Sequence, residues 1–175
     1  MCKNEMRERL KYMGHTRNEY ELTDKHLRDL ISHRQISEQL HRYCFYFDSN
    51  YPDGLRSLFT EDAIVDYGPE VQTLYGIDEI INSISLGLSN TFEATSHHIS
   101  NIVINFTSAS EASVKSYIYA WHKYKNKSKI GHLWGQYSHT FKMENDQWLI
   151  AKLTLQAVGV QDFHRSAMHA VYRHS

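Results

Sequence analysis

The chain has only two prolines, two cysteines and eight glycines in 175 residues. Scarce proline argues against linker-rich or disordered sequence. Cys2 and Cys44 cannot build a disulfide framework, since one is terminal and the other falls on an apolar helix face, so a reducing compartment is expected. The few glycines are widely spread and form no phosphate-cradling loop, and no Gly-x-Ser-x-Gly elbow occurs. Charge of neither sign dominates: 19 Lys and Arg face 20 Asp and Glu. That balance excludes the basic footprint of a nucleic-acid or anionic-membrane binder. No window approaches a membrane span, and the N-terminus carries no apolar signal core. A cytoplasmic protein with no membrane partner is the expectation. His-Glu-x-x-His is absent, no Cys/His spacing suits zinc, and His164, His169 and His174 are spaced wrongly to stack on a helix. No metal, nucleotide or flavin cofactor is indicated.

What is present is aromatic and strand-rich sequence, with 12 tyrosines, long enough for one domain with a sizeable core. Residues 1–30 are charged and lack an apolar stripe, and read as an N-terminal extension. From Ile31 to Asp48, apolar residues at 36, 40, 43, 44 and 47 share one helical face. Asn50, Pro52, Asp53 and Gly54 break the chain. A short helical turn over 55–59, a strand over 63–67, a second over 71–75 and a helix over 77–88 follow. Four long strands are then predicted at 98–106, 112–124, 130–143 and 147–158. Helices followed by such a meander imply an α+β domain over residues 31–160, with a curved antiparallel sheet wrapped around the helices. Residues 161–175 form a polar, His-rich tail.

Against this pattern four polar residues stand out. Asp48 ends the first amphipathic helix at the edge of its apolar face, where a carboxylate is costly unless paired. It serves either as a cap for the turn that follows or as a cavity group. Tyr67 closes the strand after it. His97 and His98 are neighbours, so a regular strand sends them to opposite faces. Simple parity groups His98 with Ile102, Ile104 and Phe106, and so favours His98 as the inward one unless a bulge intervenes. His122 ends a row of small and apolar residues (Val114, Ser116, Ile118, Ala120) that suits the inner side of a sheet. Tyr119 and Trp121 face the other way, where a second subunit or the N-terminal extension would cover them. A homo-oligomer, dimer or trimer, is therefore expected.

These segments resemble the SnoaL-like branch of the nuclear-transport-factor-2-like superfamily, and most of all scytalone dehydratase-like proteins. Phe47-Asp48-Ser49 resembles their Tyr-Asp pair, Asp66-Tyr67 their Asp-Tyr strand end, Thr95-Ser96-His97 their Thr-x-His, and Ala120-Trp121-His122 the segment of their second histidine. The resemblance covers about Ile36 to Leu155. It implies a cone-shaped α+β barrel enclosing an apolar pocket for a small-molecule substrate. It also implies an Asp–His dyad of Asp48 and His97, assisted by His122 and Tyr67. Within this register His97 is preferred over His98, although His98 aligns with the bile acid 7α-dehydratase histidine after a one-residue shift. Two positions depart from the pattern: the family's tyrosine before the aspartate is Phe47, and a pocket asparagine is Tyr137. Tyr43, one turn before Phe47, matches the phenol of the bile acid enzyme. Tyr43, Phe47, Tyr137 and His98 are the expected substrate contacts. The function so implied is a cofactor-independent lyase acting on a cyclic hydroxy-ketone or a polyketide- or terpenoid-type compound. An isomerase or cyclase using the same dyad, or a non-catalytic binding module with a plugged pocket, are the alternatives.

Overall fold

The computed structural model describes residues 23–172. The chain divides into two units at Leu30/Ile31. Of the first, the described part is residues 23–30, a helical segment carrying a Lys25–Asp29 ion pair of 2.8 Å. The extension expected before residue 23 lies outside the described residues.

Helix α1 is Asp24–Asp48. Ile36, Leu40, Tyr43 and Cys44 recur at three- and four-residue spacing and are buried on one face. Asn50 ends the run with φ of 46°, a left-handed conformation that asparagine tolerates better than most residues. Helix α2 is Pro52–Arg56, with proline in its first turn, where a missing N–H costs nothing. It therefore starts earlier than the turn expected at 55–59, and Phe59 instead opens strand β1, Phe59–Asp66. Strand β2 is reduced to Leu74–Tyr75. Helix α3, Ile77–Thr91, buries Ile77, Ile80, Ile81, Ile84 and Leu88, the apolar set its periodicity marks out.

Four long strands follow: β3 (Phe92–Phe106), β4 (Glu111–Tyr124), β5 (Ile130–Glu144) and β6 (Gln147–Gln161). Asn145 and Asp146 both have positive φ, which a two-residue hairpin loop needs to match strand twist. The sheet order is β2-β1-β6-β5-β4-β3, with a short β7, His169–Ala170, also paired to β6. The sheet is curved and unclosed, and it wraps the helices as an α+β cone. It is not wholly antiparallel as expected, because β1 and β7 both run parallel to β6. Neither is joined to β6 by a tight hairpin, so no connection forces the antiparallel sense.

The inner face is read most clearly from β4. Ala112, Val114, Ser116, Ile118, Ala120, His122 and Tyr124 are all buried. One end of the cone is filled by Ile36, Leu40, Phe141, Trp148 and Ile150, each at most 1 % exposed. The other end, around Ala120, Leu133 and α3, is not filled, and the site lies there.

Candidate active site

Asp48 is the last residue of α1. A carboxylate at a helix C-terminus opposes the helix dipole, so partners elsewhere must hold it. They come from β3, not from the following turn, which disposes of the capping alternative. Thr95 Oγ1 donates to Asp48 Oδ1 at 2.7 Å, the His97 backbone N–H donates to Oδ2 at 2.8 Å, and His97 Nδ1 lies 2.6 Å from Oδ1. Burial works to raise the Asp48 pKa, but the His97 and Thr95 hydrogen bonds outweigh it and hold the carboxyl below its ordinary value. With Asp48 ionised and able only to accept, Nδ1 is the donor of the pair, and Nε2 is the ring nitrogen that the carboxylate does not engage.

Why His97 and not His98 turns inward is a matter of one residue. Asn101 has φ of 52°, and the β3–β4 register shifts between Ser100 and Val103. This bulge puts two residues opposite one. Beyond it Ile102, Ile104 and Phe106 face inward, but before it the inward set is Thr95, His97 and Ile99. Parity counted through the bulge gives the wrong face. His98 lies on the outer face with its Nε2 3.0 Å from Ser96 Oγ and its ring against Tyr119. Its expected contact with substrate is thereby corrected.

His97 borders a cavity of about 360 Å³ between the sheet, α3 and the tail. The His97 ring stands at right angles to His122, with centroids 5.4 Å apart, and meets Phe47 edge-on at 4.6 Å. His122 has a buried Nδ1 without a hydrogen-bond partner among the described residues. Burial first, then the neighbouring His97 and His164, push its pKa down to about 3, so it is a neutral imidazole at pH 7. Tyr67 and Tyr137 also line the cavity. Tyr67 lies just past the end of β1, and its hydroxyl is 2.7 Å from that of Tyr43. Burial raises the Tyr67 pKa to about 12, against the opposing effects of Tyr43 and Arg165, so the phenol keeps its proton. Tyr43 is fully buried and does not border the cavity. It reaches the site through the Tyr67 hydroxyl and through ring contacts with Phe47 and Tyr137, which corrects its expected role as a direct contact. Apolar walls come from Ile84, Leu88, Phe92, Ile118 and Leu133, among others.

One wall comes from a place the strand pattern does not mark. Phe163, His164 and Arg165, in the C-terminal tail, border the cavity, as does Glu70. Glu70 fastens the tail: its carboxylate accepts the backbone N–H groups of Ser166 at 3.0 Å and Ala167 at 2.6 Å, and the Ser166 hydroxyl. Further on, His169 Nε2 sits 2.9 Å from Asp66 Oδ2, where β7 joins the sheet. The sequence signals for this closure are the apolar residues Phe163, Met168, Val171 and Tyr172 in an otherwise polar segment. No group of metal-ligating side chains occurs among the described residues, and no helix there is long and apolar enough to cross a membrane.

With this geometry in hand, the chain can be set beside known proteins. A SnoaL-like domain model matches residues 28–154. The chain belongs to the SnoaL-like family. Comparison with curated protein sequences returns no match. Among solved structures, it is similar to a protein of Novosphingobium aromaticivorans provisionally named a scytalone dehydratase. That pair shares 33 % identity over 85 % of this chain and 98 % of the other, with a TM-score of 0.79. A type 2 hexachlorocyclohexane dehydrochlorinase matches at 16 % identity over 83 % of this chain and 97 % of its own, with a TM-score of 0.73. A second N. aromaticivorans protein, provisionally named an aromatic ring hydroxylase, matches at 17 % identity over 75 % and 93 %, with a TM-score of 0.70. The last two share the fold.

Proposed function

We propose that this protein is a cofactor-independent lyase that removes water from a small cyclic β-hydroxy carbonyl compound of polyketide or terpenoid type. The observation that carries the reading is the 2.6 Å contact between Asp48 and His97 Nδ1 beside a cavity that His122 and Tyr67 also line. His97 Nε2 takes the proton next to the carbonyl, and the Asp48 charge stabilises the imidazolium that forms. Tyr67 and neutral His122 hydrogen-bond the developing enolate oxygen or the departing hydroxyl. A neutral imidazole polarises such an oxygen without the cost of burying a second positive charge. Water leaves as the enolate collapses, and the proton on His97 is available to it. The similarity to a protein provisionally named as a dehydratase points the same way.

The open cavity argues against a non-catalytic module, which would be plugged. Isomerisation starts from the same proton abstraction and differs only in what leaves. The outer sheet face exposes Tyr117 and Trp134 at 46 % and 43 %, and we assign its cover to further copies of this chain, a dimer or trimer. The test of the lyase reading is to screen cyclic β-hydroxy ketones for water loss by absorbance of the conjugated product. His97→Ala is expected to lose roughly 10²–10⁴-fold in rate with an unchanged circular dichroism spectrum. Full activity in that variant would sink the reading.

A further inference from the structure

Arg165 is the cation of the cavity wall; Glu70 acts on it through space, but no carboxylate is in ion-pair contact with it among the described residues. The tail places it half-buried against Tyr67, with Nη1 donating to the Tyr67 carbonyl at 2.8 Å and the guanidinium 5.9 Å from the Tyr67 ring centre. The rest of the planar fork makes no hydrogen bond, and Arg165 forms no ion pair, among the described residues. Glu70, the acidic residue that shares this wall, has its carboxylate taken up by Ser166 and Ala167. Asp48 has its own three donors in Thr95 and His97. His122 and His164, also on the wall, are neutral. A half-buried guanidinium with no carboxylate hydrogen-bonded to it keeps a fork of free N–H groups, and that fork matches a carboxylate with two parallel hydrogen bonds.

We infer that Arg165 is a specificity-determining residue, and that the substrate carries a carboxylate that this guanidinium binds at the cavity mouth. The inference rests on the cavity being the substrate site, as proposed above, and it narrows the substrate class to hydroxy-keto acids. The carboxylate anchors one end of the molecule, and the opposite end reaches His97 and His122.

Binding of an isosteric pair, benzoate and benzamide, tests this without knowledge of the substrate. Affinities are measured by ligand-observed NMR titration on the full chain. The intact protein is expected to prefer benzoate by roughly tenfold or more, the range of a charge-assisted hydrogen-bonded pair. Arg165→Gln is expected to abolish the preference, and Arg165→Lys to restore part of it. A thermal melt of each variant separates lost binding from lost folding. As a second control, Glu70→Gln loosens the tail yet keeps the guanidinium, so it weakens both ligands while leaving a preference. Equal binding of the two probes, no binding of either, or a preference that survives Arg165→Gln overturns the inference. The two readings fail separately. Lost anion preference with turnover still dependent on His97 removes the carboxylate assignment alone, whereas a clear preference without such turnover removes the lyase reading alone.

Discussion

His122 and His139 occupy the same inner face of the same sheet, yet they sit at opposite ends of the cone. His122 pairs across to Gly131 at the open end, and His139 pairs across to Val114 at the packed end. They are 5 % and 3 % exposed, and burial pushes the pKa of each down to about 3. Their surroundings differ. His122 meets His97, Phe92, Phe163 and His164 around a cavity. His139 is wedged between Tyr137 and Phe141, and neither of its ring nitrogens has a partner among the described residues. A depressed histidine pKa therefore records burial and does not mark a site by itself. The cavity and the converging polar neighbours are what separate a candidate catalytic imidazole from a core imidazole.

The largest expected difference between the two lies in turnover. His122→Leu is expected to cost roughly 10²–10³-fold in kcat, the usual loss on removing one donor to a developing oxyanion. His139→Leu is expected to leave kcat within a few-fold, because His139 does not itself border the cavity and meets it only through the ring of Tyr137. Steady-state kinetics on both variants checks the contrast. If the two substitutions cost the same, the division between open and packed ends fails.

That contrast also shows what the residues disclose on their own. The row Val114, Ser116, Ile118, Ala120, His122 alternates without interruption, so period-two reading places His122 inward directly. The β3 histidines are different, because the bulge at Asn101 reverses the parity. Only the Thr95-Ser96-His97 resemblance points to the right histidine, and Thr95 turns out to share the carboxylate with it. Arg165, His164 and Glu70 are not legible at all. They meet through a tail that follows no strand or helix period, and the pairing of Glu70 with Ser166 spans 96 positions. The mixed sheet escapes a sequence reading for a similar reason, since nothing local specifies that β1 lies beside β6.

A smaller expected effect concerns pH. His139 is neutral in the folded protein down to about pH 3, whereas an unfolded histidine takes up a proton near pH 6.5. Below that point the unfolded state binds more protons, so stability is fully present above pH 6.5 and falls as the pH drops toward 3. One such group removes about 2 kcal/mol between pH 6.5 and pH 4.5. His139→Leu is expected to lose about that much less over this interval than the parent chain, as measured by urea unfolding at several pH values. His122, with its similar pKa, contributes in the same direction. Parallel pH dependence in parent and variant would show that His139 is not neutral when folded.

The smallest expected effect tests whether the open end owes its shape to the sheet or to the tail. Glu70 accepts two backbone N–H groups and the hydroxyl of Ser166, and these bonds hold Phe163 to Arg165 over the cavity. The groups are solvent-accessible, and exposed hydrogen bonds contribute modestly. Glu70→Gln keeps the shape but loses the charge and one acceptor. It is therefore expected to raise KM a few-fold, with kcat nearly unchanged, because Asp48, His97 and His122 are positioned by α1, β3 and β4 and not by the tail. Hydrogen exchange of the Ser166 and Ala167 amides gives a second readout, since both should exchange faster in the variant. A fall in kcat with unchanged KM would instead mean that the tail positions the reacting groups, and that the open end of the cone is completed by both.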